Sequence, residues 1–239
     1  MASILSVGAI LGALVVGPLS DLLGRKFGIY ISGLSYLLGS LLCGLSSSVA
    51  ALEVGRAVVG AGTGSAMMVV PVYLAESAPP EIRGRMSIAF TTLAIAGNLL
   101  ASIACAALGS DWKAMLLSGA VPALLQLGGM AFMPESPLWL IKVGRTPQAR
   151  AILLRVRHPQ CQEEQAQINE YVESVEQFLL SQGSLSLCQQ LRLLVSKYRR
   201  NLLVGTMLLV IYQFTGLMAY VYFSSTILLP AHPPSHSRV

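Results

Sequence analysis

The stretch MASILSVGAILGALVVGPLSDLLGRKFGIYISGLSYLLGSLLCGLSSSVAAL, residues 1–52, holds its three charges close together, at Asp21, Arg25 and Lys26. On either side lie uncharged runs of 20 residues, Met1 to Ser20, and 26 residues, Phe27 to Leu52. A bilayer-spanning helix needs about 20 predominantly apolar residues, so each run is long enough to cross and the charged turn between them reverses the chain. The same pattern recurs in uncharged runs of 19, 25, 21 and 37 residues at Ala57 to Ala75, Met86 to Ser110, Ala114 to Pro134 and Asn201 to Ser237. Six spans are predicted. Strands of a membrane barrel would alternate polar and apolar residues over segments of about 10, whereas Leu11 to Val16 and Ala120 to Leu125 are continuously apolar. The fold class predicted is therefore an all-α membrane protein.

Composition agrees. Of the 239 residues 54% are hydrophobic and 11% charged, with a mean hydropathy of +0.66. Soluble domains are roughly a quarter charged, so a soluble enzyme is excluded. The net charge of +5 reads as topology, because loops kept in the cytoplasm retain Lys and Arg. Placing the segment after the first span inside puts 13 of the 16 basic residues on that side, leaving Arg56, Lys113 and Arg238 elsewhere. No basic run is interleaved with aromatics, so no nucleic-acid partner is expected. Met1 opens into an apolar run longer than the core of a secretory signal, which spans about 7 to 15 residues, so the run is read as a retained helix with Met1 outside. Cys43 and Cys105 fall in spans and Cys161 and Cys188 in the reducing cytoplasm, so no disulfide framework is expected.

Residues 135–200 are the one polar block, predicted to be a cytoplasmic helical insert between five spans in residues 1–134 and a sixth in 201–229, with a divergent tail at 230–239. Thr146-Pro147 places an N-cap before a proline at the first helical position, which starts a helix through Arg157. Ile168, Val172, Val175 and Leu179 recur at helical spacing among Glu170, Glu173 and Glu176, predicting a second amphipathic helix packed on the inner face of the membrane domain. Within the membrane, Gly8 with Gly12 and Gly60 with Gly64 are small-xxx-small pairs that let helix backbones approach closely.

Chemistry-bearing residues concentrate at the turns. Gly24 permits the reversal between the first two spans, and Asp21 beside Arg25 and Lys26 exceeds what a positive-inside loop needs. Glu76 closes the third span and Arg83-Gly84-Arg85 forms a second charged turn, so the two turns could build an ion-pair network across one face. Arg56 lies three residues after Glu53 and could pair with it one helical turn away. His158 has no second ligand at metal spacing, and no nucleophile-base pair or phosphate loop occurs, so no cofactor, metal or catalytic residue is expected and the chain is not read as an enzyme.

Gly17-x-x-x-Asp21-x-x-Gly24-Arg25-Lys26 resembles the loop between the second and third helices of the major facilitator superfamily. Pro71-Val72-Tyr73-Leu74-Ala75-Glu76 with Arg83-Gly84, then Pro134-Glu135-Ser136-Pro137-Leu138-Trp139-Leu140 with Gly144-Arg145, and finally Tyr212-Gln213-Phe214-Thr215-Gly216, resemble successive signatures of its sugar porter branch, the facilitative glucose transporter-like solute carrier family 2. The resemblance implies a partial major facilitator fold in which six transmembrane helices match family helices two to seven, so that the chain is expected to be truncated.

It also implies transport of a hexose or related sugar or polyol by alternating access, in the plasma membrane or an intracellular vesicle membrane. A sugar or polyol, the lipid bilayer and, as a candidate coupling ion, the proton are the implied partners. The different-class alternative is a non-transporting truncated isoform that acts as an interaction partner or regulator of a full-length transporter. On the helix-seven motif Tyr212 replaces the first family amide while Gln213 keeps the second, Thr215 keeps its place, and Thr91 stands at the helix-five position usually held by glutamine. Gln213, Thr215 and Thr91 are thereby the implied substrate residues. Asp21, Gly24, Arg25, Lys26, Glu76, Arg83, Gly84, Glu135 and Arg145 are the implied conformational gate, and Arg56 the implied coupling or structural residue.

Overall fold

The computed structural model describes residues 2–79, 82–109, 111–157, 162–182, Ser196 and 199–215, and all regular structure among them is α-helical. They fall into two units, Met1–Leu179 and Leu180–Val239. In the first unit the chain runs through α1 (Ala2–Leu23), α2 (Arg25–Gly44), α3 (Val49–Ser77), α4 (Arg83–Leu108), α5 (Trp112–Ser118) and α6 (Ala120–Phe132). The polar segment follows as α7 (Pro137–Lys142), α8 (Thr146–Arg157) and α9 (Gln162–Gln182). The second unit contains α10 (Arg199–Phe214).

Among the described residues five helical segments are long and apolar enough to cross a membrane: α1, α2, α3, α4 and the α5–α6 pair. Their exposed faces carry large aliphatic side chains such as Leu14, Ile88, Leu93 and Leu125, as lipid contact requires. This is an integral membrane protein. Of the sixth predicted span, α10 is described only through Phe214 and Thr215, and the rest of that run lies outside the described residues.

Two helix boundaries differ from those read from charge spacing. The run Phe27 to Leu52 contains a complete turn, because α2 stops at Gly44 and α3 starts at Val49. Ser48 caps α3, its side chain accepting from the Ala51 amide at 3.2 Å, so a polar but uncharged turn divides what looked like one span. The run Ala114 to Pro134 is divided by Gly119 into α5 and α6. Pro122 lacks an amide proton and its ring opposes the carbonyl four residues back, at Ser118, where α5 ends.

No hydrophobic effect drives helices together in lipid, so close packing rests on small residues. The two glycine pairs read from the sequence meet at one contact. A Cβ on Gly8 or Gly12 would collide with the backbone of Ala57 or Ala61 on α3, and one on Gly60 or Gly64 with the backbone of Leu5 or Ala9 on α1. On the opposite side of α3, a Cβ on Gly62 would lie 2.8 Å from the Ser32 carbonyl oxygen and from the Tyr36 amide nitrogen of α2. Helix α3 is therefore clasped backbone to backbone between α1 and α2. Val16, Ile29, Val69, Tyr73 and Met130 form the core at the end of this bundle where α1 and α3 finish. Helix α4, in contrast, has no buried residue.

The polar segment has its own core of Trp139, Leu140, Ile141, Ala149, Leu153, Ile168 and Val172. Ile168 and Val172 are the buried positions of the amphipathic pattern, and their face packs on α7 and α8. Glycine at position 144 ends α7 at φ 79°: its amide bonds the Ile141 carbonyl at 2.9 Å and the next amide, of Arg145, bonds Leu140 at 2.8 Å. That pair of bonds satisfies the helix's last carbonyls and needs a left-handed residue.

Candidate functional site

The site is built where α1 and α3 end and α2 and α7 begin. Gly24, at φ 114°, is the single residue between α1 and α2, a conformation open to glycine and strained for residues with a Cβ. It directs Arg25 back across the bundle end to Glu76, the penultimate residue of α3. The Arg25 Nη2 donates to Glu76 Oε1 at 2.9 Å, and its Nε lies 3.2 and 3.1 Å from Oε1 and Oε2. Nη1 pairs with Asp21 at 2.5 Å and donates to Ser20 Oγ at 3.1 Å. Side-chain exposures of 14% for Arg25 and 17% for Glu76, against 46% for Asp21, make the first pair interior and the second peripheral.

Glu76 is joined to α7 as well. The buried Ser136 hydroxyl donates to Glu76 Oε2 at 2.6 Å and accepts from the Trp139 amide at 3.3 Å, so one side chain caps α7 and completes the carboxylate's shell. The Trp139 indole Nε1 donates to the Asp21 carbonyl at 2.9 Å, fastening α7 to the last turn of α1. Tyr73 donates its hydroxyl to the Pro134 carbonyl at 2.8 Å, which ties α3 to the chain leading into α7.

Glu135 and Lys26 act through backbone groups. Glycine at the N-cap gives α2 no side-chain cap, and Glu135 Oε1 supplies one by accepting from the Lys26 amide at 2.9 Å. The same oxygen accepts from the Ser136 amide at 2.9 Å. In return the Lys26 ammonium donates to the carbonyls of Ala131 and Met133, at 3.2 and 2.7 Å, at the end of α6. A carboxylate on the positive end of one helix and an ammonium on the negative end of another both oppose the helix dipoles favourably. A Cβ on Gly24 would meet the Glu135 carboxylate, a second reason for glycine there.

Of the residues proposed for a gate, the structure thus joins Asp21, Gly24, Arg25, Lys26, Glu76 and Glu135. Arg83, Gly84 and Arg145 lie apart: Arg83 and Arg145 are exposed, neither makes an ion pair among the described residues, and a Cβ on Gly84 would meet nothing within 4 Å among them. Arg145 contributes through its backbone amide at the end of α7. Arg56 is not ion-paired with Glu53, and its Nε is buried without a hydrogen-bond partner among the described residues. Thr91 is exposed on α4 with its hydroxyl donating to the Ser87 carbonyl at 3.2 Å. In the second unit the Thr215 hydroxyl donates to the Tyr212 carbonyl at 2.6 Å, and Gln213 lies in the last turn of α10 with its side chain outside the described set.

Charge reasoning missed Ser20, Tyr73, Ser136 and Trp139, all neutral. Ser136-Pro137 carried the same cap-then-proline signal that located α8 and would have marked Ser136. It also missed Gln126, whose amide nitrogen lies 3.2 Å from Ser32 Oγ and 3.3 Å from the Ile29 carbonyl, joining α6 to α2 within the bundle.

The family model for "Sugar (and other) transporter" matches residues 1–235. The human proton myo-inositol cotransporter is 37% identical over 225 residues, 92% of this chain and 34% of the relative. Sugar transporter ERD6-like 7 of Arabidopsis thaliana is 33% identical over 98% of this chain and 49% of its own length. The chain spans about a third to a half of the length of such curated relatives. Among solved structures, the major facilitator superfamily proton:xylose symporter XylE, bound to 6-bromo-6-deoxy-D-glucose, superposes with a TM-score of 0.77 at 25% identity, over 94% of this chain and 51% of the symporter. The partially occluded inward-open form of XylE from E. coli gives 0.64 at 26% identity, over 73% and 45%.

Proposed function

We propose, given that the chain belongs to the sugar (and other) transporter family, that it provides the helical scaffold and one end of the gate for secondary transport of a hexose or related polyol. The mechanism is alternating access, in which helical bundles rock about a site near the bilayer midplane. One observation carries the reading of the gate: Arg25 and Glu76 bind each other in the interior while the Asp21 carboxylate on the same guanidinium stays half exposed. The cluster contains three carboxylates, Asp21, Glu76 and Glu135, and two cations, Arg25 and Lys26. Asp21, already paired with Arg25, is its half-exposed carboxylate, where a further cationic or helix N-terminal partner could be gained or lost between states. The insert α7–α9 is cytoplasmic in this reading, and Thr91, Gln213 and Thr215 contact the sugar. Relatives named for inositol, sugars and xylose support the substrate class.

The test is substrate protection. Thr91→Cys and Thr215→Cys are introduced separately into a background without native cysteines, and maleimide labelling is followed in proteoliposomes with glucose, xylose, myo-inositol or their non-substrate stereoisomers. Stereospecific slowing of labelling is expected at both positions. Equal labelling rates under every sugar would refute the proposed substrate site.

A further inference from the structure

The acidic and basic residues of the insert are segregated along the chain. From Ser136 to Gln162 there is no Asp or Glu, while Lys142, Arg145, Arg150, Arg155 and Arg157 supply five positive charges. The next fourteen residues reverse this with Glu163, Glu164, Glu170, Glu173 and Glu176. Such adjacent blocks would ordinarily neutralise one another across a helical hairpin. Among the described residues they do not: Lys142, Arg145, Arg150 and Arg155 are exposed, and none makes an ion pair there. Glu176 instead meets the Thr146 hydroxyl at 3.4 Å. The hydrophobic core explains the separation, because Ala149 and Leu153 of α8 face Ile168 and Val172 of α9 and leave the charged side chains on outer faces.

The hairpin's position identifies what those cations meet. Helix α7 is separated from the end of α6 by four residues, is hydrogen-bonded by Trp139 to the last turn of α1, and is followed after a short turn by α8. The headgroup layer extends a bilayer from about 30 Å of hydrocarbon to about 40–45 Å overall, so a segment fastened this close to the ends of spanning helices lies against it. We propose that the exposed basic residues of α7 and α8, with Lys142, Arg150 and Arg155 as the principal contacts, bind the headgroups of anionic phospholipids in the adjoining leaflet. Positive charge near a span sets orientation during insertion; the proposal adds that these groups go on to select lipid in the folded protein. It rests on the membrane reading and is independent of the sugar.

The full chain is reconstituted in phosphatidylcholine vesicles doped with spin-labelled phosphatidylserine or spin-labelled phosphatidylcholine, and the motionally restricted fraction of each is measured by electron paramagnetic resonance. Phosphatidylserine is expected to be favoured by about fivefold, the factor that one well-placed cation supplies. The preference should fall towards unity near 1 M salt, where the screening length is about 3 Å. It should also fall in K142Q/R150Q/R155Q, and in the milder single variants R150Q and R155Q should that triple variant fail to reconstitute, while R150K/R155K should retain it. Equal association of both lipids with the unaltered chain would overturn the proposal. A preference unchanged in both the triple and the single variants would overturn it too, placing any lipid selectivity elsewhere. Neither outcome bears on sugar protection at Thr91 or Thr215, so the two readings fail separately.

Discussion

Replacing Arg25 with methionine should cost far more than replacing Asp21 with asparagine, although both remove one end of an ion pair on the same guanidinium. Arg25 is 14% exposed and holds Glu76, itself 17% exposed, through two nitrogens at 2.9–3.2 Å. Without it Glu76 keeps the Ser136 hydroxyl but faces a largely desolvated interior with a full negative charge. Removing one partner of a fully buried pair costs about 3–5 kcal/mol, and the residual exposure here brings the expectation down to about 2–3 kcal/mol. That is about 30- to 150-fold in the unfolding equilibrium, since about 1.4 kcal/mol is tenfold. Asp21, 46% exposed, makes a solvent-screened pair, for which about 0–1 kcal/mol is typical. The assay is reversible unfolding in mixed micelles of increasing denaturing detergent, followed by helix content. Glu76→Gln should restore much of the loss in Arg25→Met, because the double variant no longer leaves a carboxylate unpaired, giving a coupling of about 1.5–3 kcal/mol, the range for hydrogen bonds to charged groups. Equal losses in the two single variants, or effects of Arg25→Met and Glu76→Gln that simply add, would refute the interior-pair reasoning.

The same assay should separate glycines by contact: Gly64→Ala drives a methyl group into the backbone of Ala9 and should cost about 1–3 kcal/mol, whereas Gly97→Ala on α4 meets nothing within 4 Å and should stabilise by up to about 1 kcal/mol. Gln126→Leu removes the bonds to Ser32 and Ile29 and should cost about 0.6 kcal/mol, with about 1.7 as the upper end for polar contacts between membrane helices. An impermeant thiol reagent applied to intact cells should leave Cys161 and Cys188 unmodified until the membrane is permeabilised; labelling beforehand would reverse the proposed orientation of the insert.

The five described segments long and apolar enough to cross a membrane could be read from the distances between charges, because few interior positions in a span tolerate one. Where they end could not. The turn at Leu45–Ser48 and the break at Gly119 contain no ionisable group, and they are marked instead by the Ser48 cap and by Pro122. At the site, the charged members were visible for the same reason, but their partners were not. Glu135 invited an ion-pair reading and spends its oxygen on two backbone amides, one of them 109 residues away in sequence. Arg145 invited the same reading and serves through its amide. Charge spacing identifies groups that cannot be left in hydrocarbon; it does not say whether a side chain, an amide or a helix end satisfies them.

That distinction divides the cluster by the work each bond can do. The long-range contacts of Arg25, Glu76, Glu135, Ser136 and Trp139 join helices of the first unit to one another. Glu135 caps α2 from the α6–α7 junction while Lys26 reaches back to the end of α6, so neither element can shift without exposing helix-end groups of the other. A bond equally present in two states of a transporter shifts no equilibrium between them, however strong it is. The interior bonds therefore fix the bundle end as one body, and their loss should register as stability. Bias between states requires groups with bonding capacity still to spare, and at this site that is the half-exposed carboxylate of Asp21, with the exposed guanidinium groups of Arg83 and Arg145 available outside it. Asp21→Asn should accordingly alter the relative reactivity of cysteines placed at the two ends of the bundle while barely moving the unfolding midpoint, and Arg25→Met should move the midpoint in either case.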